Sequence, residues 1–255
     1  MPLFQTKGLT HWFGGLRAVN DFNIQLDGGE LVGLIGPNGA GKTTIFNLVT
    51  GVYKATAGEI LFNGTNLVGR RPHEITAMGI SRTFQNIRLW EDMSVLDNVR
   101  IAHHYRLKYG LLDSVLPTKR RQAEEEEITE RVLELLDVFK LCPYADERAM
   151  NLPYGAQRRV EMVRALAAEP RLLLLDEPTA GMNPGEVVEM MELIQWIHKK
   201  FDLTVWIIEH RMQVIMNLCQ RIKVIDFGTT IAEGTSEEIQ NNPRVIEAYL
   251  GEEVV

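Results

Sequence analysis

The chain has 255 residues, a length that suits one large α/β domain or a core carrying a smaller subdomain. Its 45% apolar and 24% charged residues exclude the disordered and fibrous classes, and a net charge of -7 argues against a nucleic-acid binder working by bulk electrostatics. No apolar run approaches the roughly 18 residues that a membrane-spanning helix needs. Residues 1–7 lack the basic-then-apolar pattern of a secretory signal, so the chain is expected neither to cross nor to enter a membrane by itself. Cys142 and Cys219 lie far apart, with no His or second Cys at ligand spacing, which predicts two buried free thiols in a reducing compartment.

In chain order, Leu31–Ile35 reads as a buried strand, followed by a glycine-rich turn and a helix opening near Lys42. Ile60–Phe62 reads as a further strand with Asn63-Gly64 as its turn. From about Val95 to Ala168 the pattern is helical. Ile128, Val132, Leu135, Leu136 and Phe139 recur at i, i+4, i+7, i+8 and i+11 and form one apolar stripe. The run Glu124–Glu127, after Lys119-Arg120-Arg121, is expected to be the solvated start of that helix, where carboxylates complement the macrodipole. Leu172–Leu175 and Val205–Ile208 are continuous apolar runs, as strands buried on both faces of a parallel sheet require. Val224–Asp226 and Thr230–Ala232 predict a closing hairpin around Phe227-Gly228. The interruption of strand–helix alternation by pure helix predicts a helical subdomain at 95–168. It is inserted between two parts of one α/β core, 1–94 and 169–235, with a helical tail over 236–255.

Gly36-Pro37-Asn38-Gly39-Ala40-Gly41-Lys42-Thr43 matches G-x-x-x-x-G-K-S/T, directly after a strand and at the start of a helix. Glycines permit a tight loop whose backbone N–H groups face inward onto phosphate oxygens, aided by the helix N-terminus. Lys42 supplies a charge to the β- and γ-phosphates, and the Thr43 hydroxyl suits Mg²⁺. The candidate phosphate-binding set is therefore Gly36, Asn38, Gly39, Ala40, Gly41, Lys42, Thr43 and the adjoining Thr44, and the ligand a nucleoside triphosphate. Asp176 and Glu177 follow Leu172–Leu175, at the carboxyl edge of a parallel sheet where ligands bind. There an Asp suits Mg²⁺ and the following Glu suits polarising an attacking water.

With these residues in place, the chain resembles the ATPase subunit of an ABC transporter over essentially its whole length. The motif order is that family's: the phosphate loop, Gln85 in Thr83-Phe84-Gln85-Asn86, Leu152–Gln157, Asp176-Glu177-Pro178, Ala180–Asn183 and His210. The resemblance implies a P-loop NTPase (RecA-like) α/β core with a mainly parallel sheet, an N-terminal antiparallel β subdomain and an inserted α-helical subdomain. It implies ATP and Mg²⁺, with Glu177, His210, Lys42 and Gln85 as the catalytic set and Thr43, Gln85 and Asp176 around the metal. Phe13 fits the aromatic that stacks on adenine, with Trp12 as the competing stacker. It further implies a head-to-tail dimer in which each ATP lies between Gly36–Thr43 of one chain and Pro153, Tyr154, Gly155 and Gln157 of the other.

Two segments depart from the family pattern. Where the family has L-S-G-G-Q, Pro153 replaces the Ser and Tyr154 the first Gly, and Asn183 stands where an Asp is usual. The lost Ser hydroxyl would remove one hydrogen bond, worth roughly 0.5–1.5 kcal/mol. The Tyr-Gly-x-Gln-Arg-Arg signature, Arg82-Thr83-Phe84-Gln85, Glu209-His210-Arg211-Met212 and the segment Ala232…Gly251 resemble the branched-chain amino-acid importers, and the insertion around His103–Glu127 the longer of their two ATPase subunits. Urea and amide importers share most of these features. The implied partners are the transmembrane permease subunits, whose coupling helix would enter a groove near Gln85, Arg88, Leu89 and Trp90, and either a second copy or a paralogous ATPase. The implied location is cytoplasmic, peripheral on the inner face of the plasma membrane. The acidic balance, short helical insert and single cassette count against a soluble ABC ATPase acting on DNA or ribosomes. The signature segment and His210 count against a small-molecule P-loop kinase.

Overall fold

The continuous apolar runs form the centre of a parallel sheet. In this computed structural model, which describes residues 1–106 and 119–250, β3 (Leu31–Ile35), β7 (Leu172–Asp176) and β8 (Thr204–Ile208) are buried at every position. Together with β6 (Ile80–Arg82), β9 (Arg221–Asp226) and β10 (Thr229–Gly234) they make a six-stranded sheet in the order β10-β9-β3-β8-β7-β6. Only the β9–β10 hairpin is antiparallel, and it turns at Phe227-Gly228 as expected. β1 (Phe4–Phe13), β2 (Leu16–Leu26), β4 (Ala57–Phe62) and β5 (Thr65–Asn66) form a second, antiparallel sheet in the order β2-β1-β4-β5.

The two sheets share one core around Trp206 of β8. Its fully buried indole meets Phe4 of β1 at 5.6 Å, Phe22 of β2 at 6.2 Å and Phe46 of α1 (Lys42–Val49) at 5.0 Å between ring centroids. Aromatic pairs at such distances add about 0.5–1.5 kcal/mol each beyond their buried area. The helix that follows the phosphate loop is thereby seated against strands of both sheets. The remaining helices of this unit are α2 (Pro72–Ala77), then, after the helical insert, α6 (Pro184–Lys200), α7 (Met212–Leu218), α8 (Ser236–Gln240) and α9 (Pro243–Leu250).

The chain divides into two units, Met1–Arg82 with Arg171 onward, and Thr83–Pro170. The second begins at Thr83 rather than near 95, because the backbone of Phe84 and Gln85 is bonded to side chains within it. Its described helices are α3 (Val95–Arg100), α4 (Lys119–Val138) and α5 (Tyr154–Ala167), with short 3₁₀ turns between them. On the predicted stripe Val132, Leu136 and Phe139 are buried, and Ile128 and Leu135 half-buried. The acidic run does not start α4. The helix begins at Lys119, so the basic triplet takes the first turn and the carboxylates fall inside, where Glu125 pairs with Arg100 and Glu127 with Arg131 at 2.7 Å. Side-chain pairing thus replaces the dipole as the reason for the run. Part of the expected insertion lies outside the described residues.

Cys219 is buried and burial pushes its thiol well up, whereas Cys142 is only half-buried, contrary to expectation. Neither makes a disulfide. Among the described residues no helix is long and apolar enough to cross a membrane.

Candidate nucleotide site

The phosphate loop leaves β3 at Gly36 and enters α1 at Lys42. Two of its glycines are fixed by close approach. A Cβ at Gly36 would lie 2.0 Å from the Ile225 carbonyl oxygen on β9, and one at Gly41, whose φ is +101°, 2.6 Å from the Ala18 oxygen on β2. No side chain fits either place. Within this cradle the Lys42 ammonium donates to the carbonyl oxygens of Gly36 (2.6 Å) and Pro37 (2.8 Å), and the residue is only 7% exposed. Asn38, Gly39 and Thr43 face solvent, Gly41 and Thr44 are half-buried and Ala40 is buried. A loop of backbone donors with one inward ammonium at a helix N-terminus fits a polyphosphate.

β7 delivers Asp176 and Glu177 to the carboxyl edge of the same sheet. Asp176 is 1% exposed, and its Oδ2 accepts from Arg82 at 2.6 Å. Arg82, itself 4% exposed, also donates to Asn47 Oδ1 (2.7 Å) and Thr50 Oγ1 (3.3 Å) on and beside α1 and lies over the Phe46 ring. A guanidinium fork thus links the end of β7 to the helix behind the phosphate loop. Glu177 adopts φ +50° and donates its N–H to the Ile208 oxygen at 2.9 Å, which turns its carboxylate toward His210, whose Nδ1 stands 3.5 Å away. The His210 side chain is 50% exposed.

Glu209 holds this edge together. It is fully buried and accepts from four donors: the Thr179 N–H (3.0 Å), the Thr179 hydroxyl, the His210 N–H (3.1 Å) and the Arg211 N–H (3.3 Å). The turn after Glu177 and the loop bearing His210 are therefore tied to one carboxylate. Asn183 caps α6: its Oδ1 accepts from the N–H groups of Gly185 (3.0 Å) and Glu186 (3.1 Å), while Glu186 reaches back to its own N–H at 2.9 Å. The departure from Asp keeps a good helix cap.

Phe13 is 43% exposed at the end of β1 and meets His11 and Tyr53 edge-on, with centroids 4.6 and 5.3 Å apart. Trp12, its neighbour on the strand, carries Arg17 over its ring at 5.5 Å. Neither aromatic belongs to the core.

The helical unit holds Gln85 and the signature-position segment. Gln85, Ile87, Leu89, Met150, Tyr154 and Gln157 line one groove of about 390 Å³. Trp90 is exposed and Leu89 half-buried, and Arg164 lies 5.3 Å over the Trp90 ring. Pro153 is the N-cap of α5 and offers its oxygen to the Ala156 and Gln157 N–H groups at 2.9 and 3.0 Å. The Gln157 amide turns back to the Leu152 oxygen at 2.9 Å, and the Tyr154 hydroxyl takes Arg158. Glu161, further along α5, is pushed up by burial, against the lowering pull of the Phe84 N–H and Arg158.

Among the described residues no group of three or more His, Cys, Asp and Glu could hold a metal ion unaided. Of the residues expected around Mg²⁺, Thr43 carries a hydroxyl and Asp176 a carboxylate in the first unit, and Gln85 an amide in the second. Within the first unit, one carboxylate and one hydroxyl suit a magnesium ion that keeps waters and takes phosphate oxygens. Arg82, Glu209, Thr179, Arg158 and Glu161 are absent from the sequence-derived set. The only local trace of the first is its place three residues before Gln85.

A glycine-built phosphate cradle, a strand-end carboxylate pair of which Glu177 faces a histidine, and a separate helical unit define an ATP-binding cassette. The chain belongs to the ABC transporter family, whose profile matches residues 19–180, and as a member it is an ATPase coupled to transport. The profile of branched-chain amino acid ATP-binding cassette transporters matches residues 229–255. The chain is 45% identical over 98% of each chain to the high-affinity branched-chain amino acid transport ATP-binding protein LivG of Escherichia coli K12. It is 41% identical, again over 98% of each, to BraF of Pseudomonas aeruginosa, which carries the same description. Two solved structures match it closely. The ADP conformation of an ATP-binding cassette of an ABC transporter has a TM-score of 0.85 at 31% identity, and a nucleotide-free cassette from an ABC transporter 0.84 at 32%. Each comparison covers 98% of this chain and 99% of the other.

Proposed function

We propose that this chain is the ATP-hydrolysing subunit of an importer for branched-chain or related amino acids, working on the inner face of the membrane beside a separate permease. The observation that carries the substrate class is the full-length identity of 45% to a branched-chain amino acid transport protein. The C-terminal profile match at 229–255 agrees with it.

In this reading the phosphate loop binds the triphosphate of ATP, Lys42 and His210 hold the γ-phosphate charge, and Phe13 stacks on adenine. Thr43, Asp176 and Gln85 position Mg²⁺, which when bound neutralises charge on the β- and γ-phosphates. Glu177 orients the attacking water and takes its proton. The water oxygen bonds to the γ-phosphorus as the bond to the β-phosphate oxygen breaks, giving ADP and phosphate. The N-terminus of α5, with Gly155, faces the ATP of a second ATPase subunit, and the groove beside Gln85 receives the permease's coupling helix.

The chemistry is tested by Glu177→Gln, which should abolish steady-state hydrolysis while retaining ATP binding and ATP-dependent dimerisation. Near-normal turnover overturns the assignment. The substrate class is tested by ATPase stimulation in the assembled transporter, offered leucine, isoleucine or valine against urea and short amides. Stimulation by the amides alone would replace the amino-acid reading.

A further inference from the structure

The residue that replaces glycine in the signature-position segment, Tyr154, does not act alone. Its hydroxyl accepts from Arg158 Nε at 3.1 Å and from a terminal nitrogen at 2.8 Å, and the guanidinium lies against the phenol ring. The same guanidinium donates to the carbonyl oxygen of Phe84 at 2.8 Å and to that of Gln85. Glu161, one turn further along α5, pairs with Arg158 at 3.4 Å and accepts the Phe84 N–H at 3.1 Å. The side chains of Arg158 and Glu161 are 4% and 2% exposed. One helix thus grips both faces of the Phe84–Gln85 backbone, with the planar fork of an arginine meeting two successive carbonyls and a phenol at once.

We propose that Arg158, braced by Tyr154 and Glu161, is a positioning residue that fixes the Gln85 loop to the signature-bearing helix, so that Gln85 and the N-terminus of α5 move as one body. The phenol completes the fork's third contact, and so a tyrosine stands where the family has glycine. Lysine would substitute only in part, because a single ammonium nitrogen cannot span the acceptors that the separate nitrogens of the guanidinium fork reach together. The inference rests on the role given above to Gln85, but the clamp itself is read without it.

The first measurement is hydrogen–deuterium exchange of the full chain without nucleotide. Arg158→Gln should speed exchange across 83–86 by at least about tenfold, while 36–49 keeps its wild-type rate. Arg158→Lys keeps the charge beside Glu161, so it folds even if the glutamine variant does not, and should give an intermediate acceleration of about threefold or more. Unchanged exchange over 83–86 in a folded variant overturns the clamp. The second measurement is kinetic. Arg158→Gln should lower kcat about tenfold with the KM for ATP unchanged, and adding it to Gln85→Ala should lower kcat no further than Gln85→Ala alone. A multiplicative loss in the double variant, or a rise in KM with kcat intact, refutes action through Gln85. If Gln85→Ala leaves turnover intact, it is the proposed role of Gln85 that fails, and the exchange rates decide the clamp separately.

Discussion

Replacing Arg82 with alanine should cost about 4 kcal/mol of stability. The Arg82 and Asp176 side chains are 4% and 1% exposed and meet at 2.6 Å, so the change leaves a buried carboxylate without its guanidinium, a loss of about 3–5 kcal/mol. The bonds to Asn47 and Thr50 go with it, each a net contribution of about 1 kcal/mol at most. With an m-value near 3 kcal/mol/M, urea denaturation of the full chain should show the midpoint falling by more than about 1 M. The decisive assay is the double-mutant cycle. In an Asp176→Asn background the same Arg82→Ala change should cost about 2–3 kcal/mol less, because the charge it served is gone. Arg82→Lys should recover only part of the loss, since an ammonium cannot span Asp176, Asn47 and Thr50 together. A coupling energy below about 0.5 kcal/mol would show that the ion pair is incidental and that the reasoning from burial is wrong.

Glu209→Ala removes the acceptor of four donors and should cost about 3 kcal/mol, seen by thermal unfolding, while lowering kcat more than ATP affinity because His210 loses its anchor. Equal turnover in a folded Glu209→Ala chain would contradict the anchoring. Phe13→Ala should weaken ATP binding by about 1–3 kcal/mol in fluorescence titration and Trp12→Ala by far less; the reverse order would make Trp12 the stacker. Glu233 pairs with Arg221 and Lys223. Burial works against its carboxylate, but those two cations together outweigh it and hold the carboxyl below the ordinary value of 4.5. Its contribution is therefore present above about pH 4.5 and lost as pH falls through the lowered value. Glu233→Gln should be destabilised by about 1–2 kcal/mol at pH 7, with the gap to wild type closing in acid; a gap independent of pH would refute the pairing.

The parts of the fold legible in the sequence are those written locally. Leu31–Ile35, Leu172–Leu175 and Val205–Ile208 announce buried parallel strands by unbroken apolar runs, and the phosphate loop is eight consecutive residues whose geometry needs its glycines. The edge that carries Asp176, Glu177 and His210 was legible as residue types at strand ends and through the order of the motifs. What positions those residues was not, because the partners are distant in the chain: Arg82 and Asp176 are 94 residues apart, Thr179 and Glu209 30, Phe84 and Glu161 77. No periodicity marks such a pairing, and a buried Arg or Glu looks in sequence like any solvated charge. The start of α4 was not legible for a related reason. Dipole complementarity is a weak preference, and Glu125 and Glu127 lie inside the helix, paired with Arg100 and Arg131.

Trp206 carries a consequence for how this ATPase fails. Phe46 of α1 rests on that indole together with Phe4 and Phe22, so the helix behind the phosphate loop cannot loosen without opening the deepest part of the molecule. Nucleotide capture should then be all-or-none, with the loop keeping its shape until the unit that holds it melts. A damaged chain of this kind loses binding sites in number rather than in strength. Titrations of partly destabilised preparations will return an unchanged dissociation constant with a shrinking stoichiometry, and bound ATP will protect the unit as a whole.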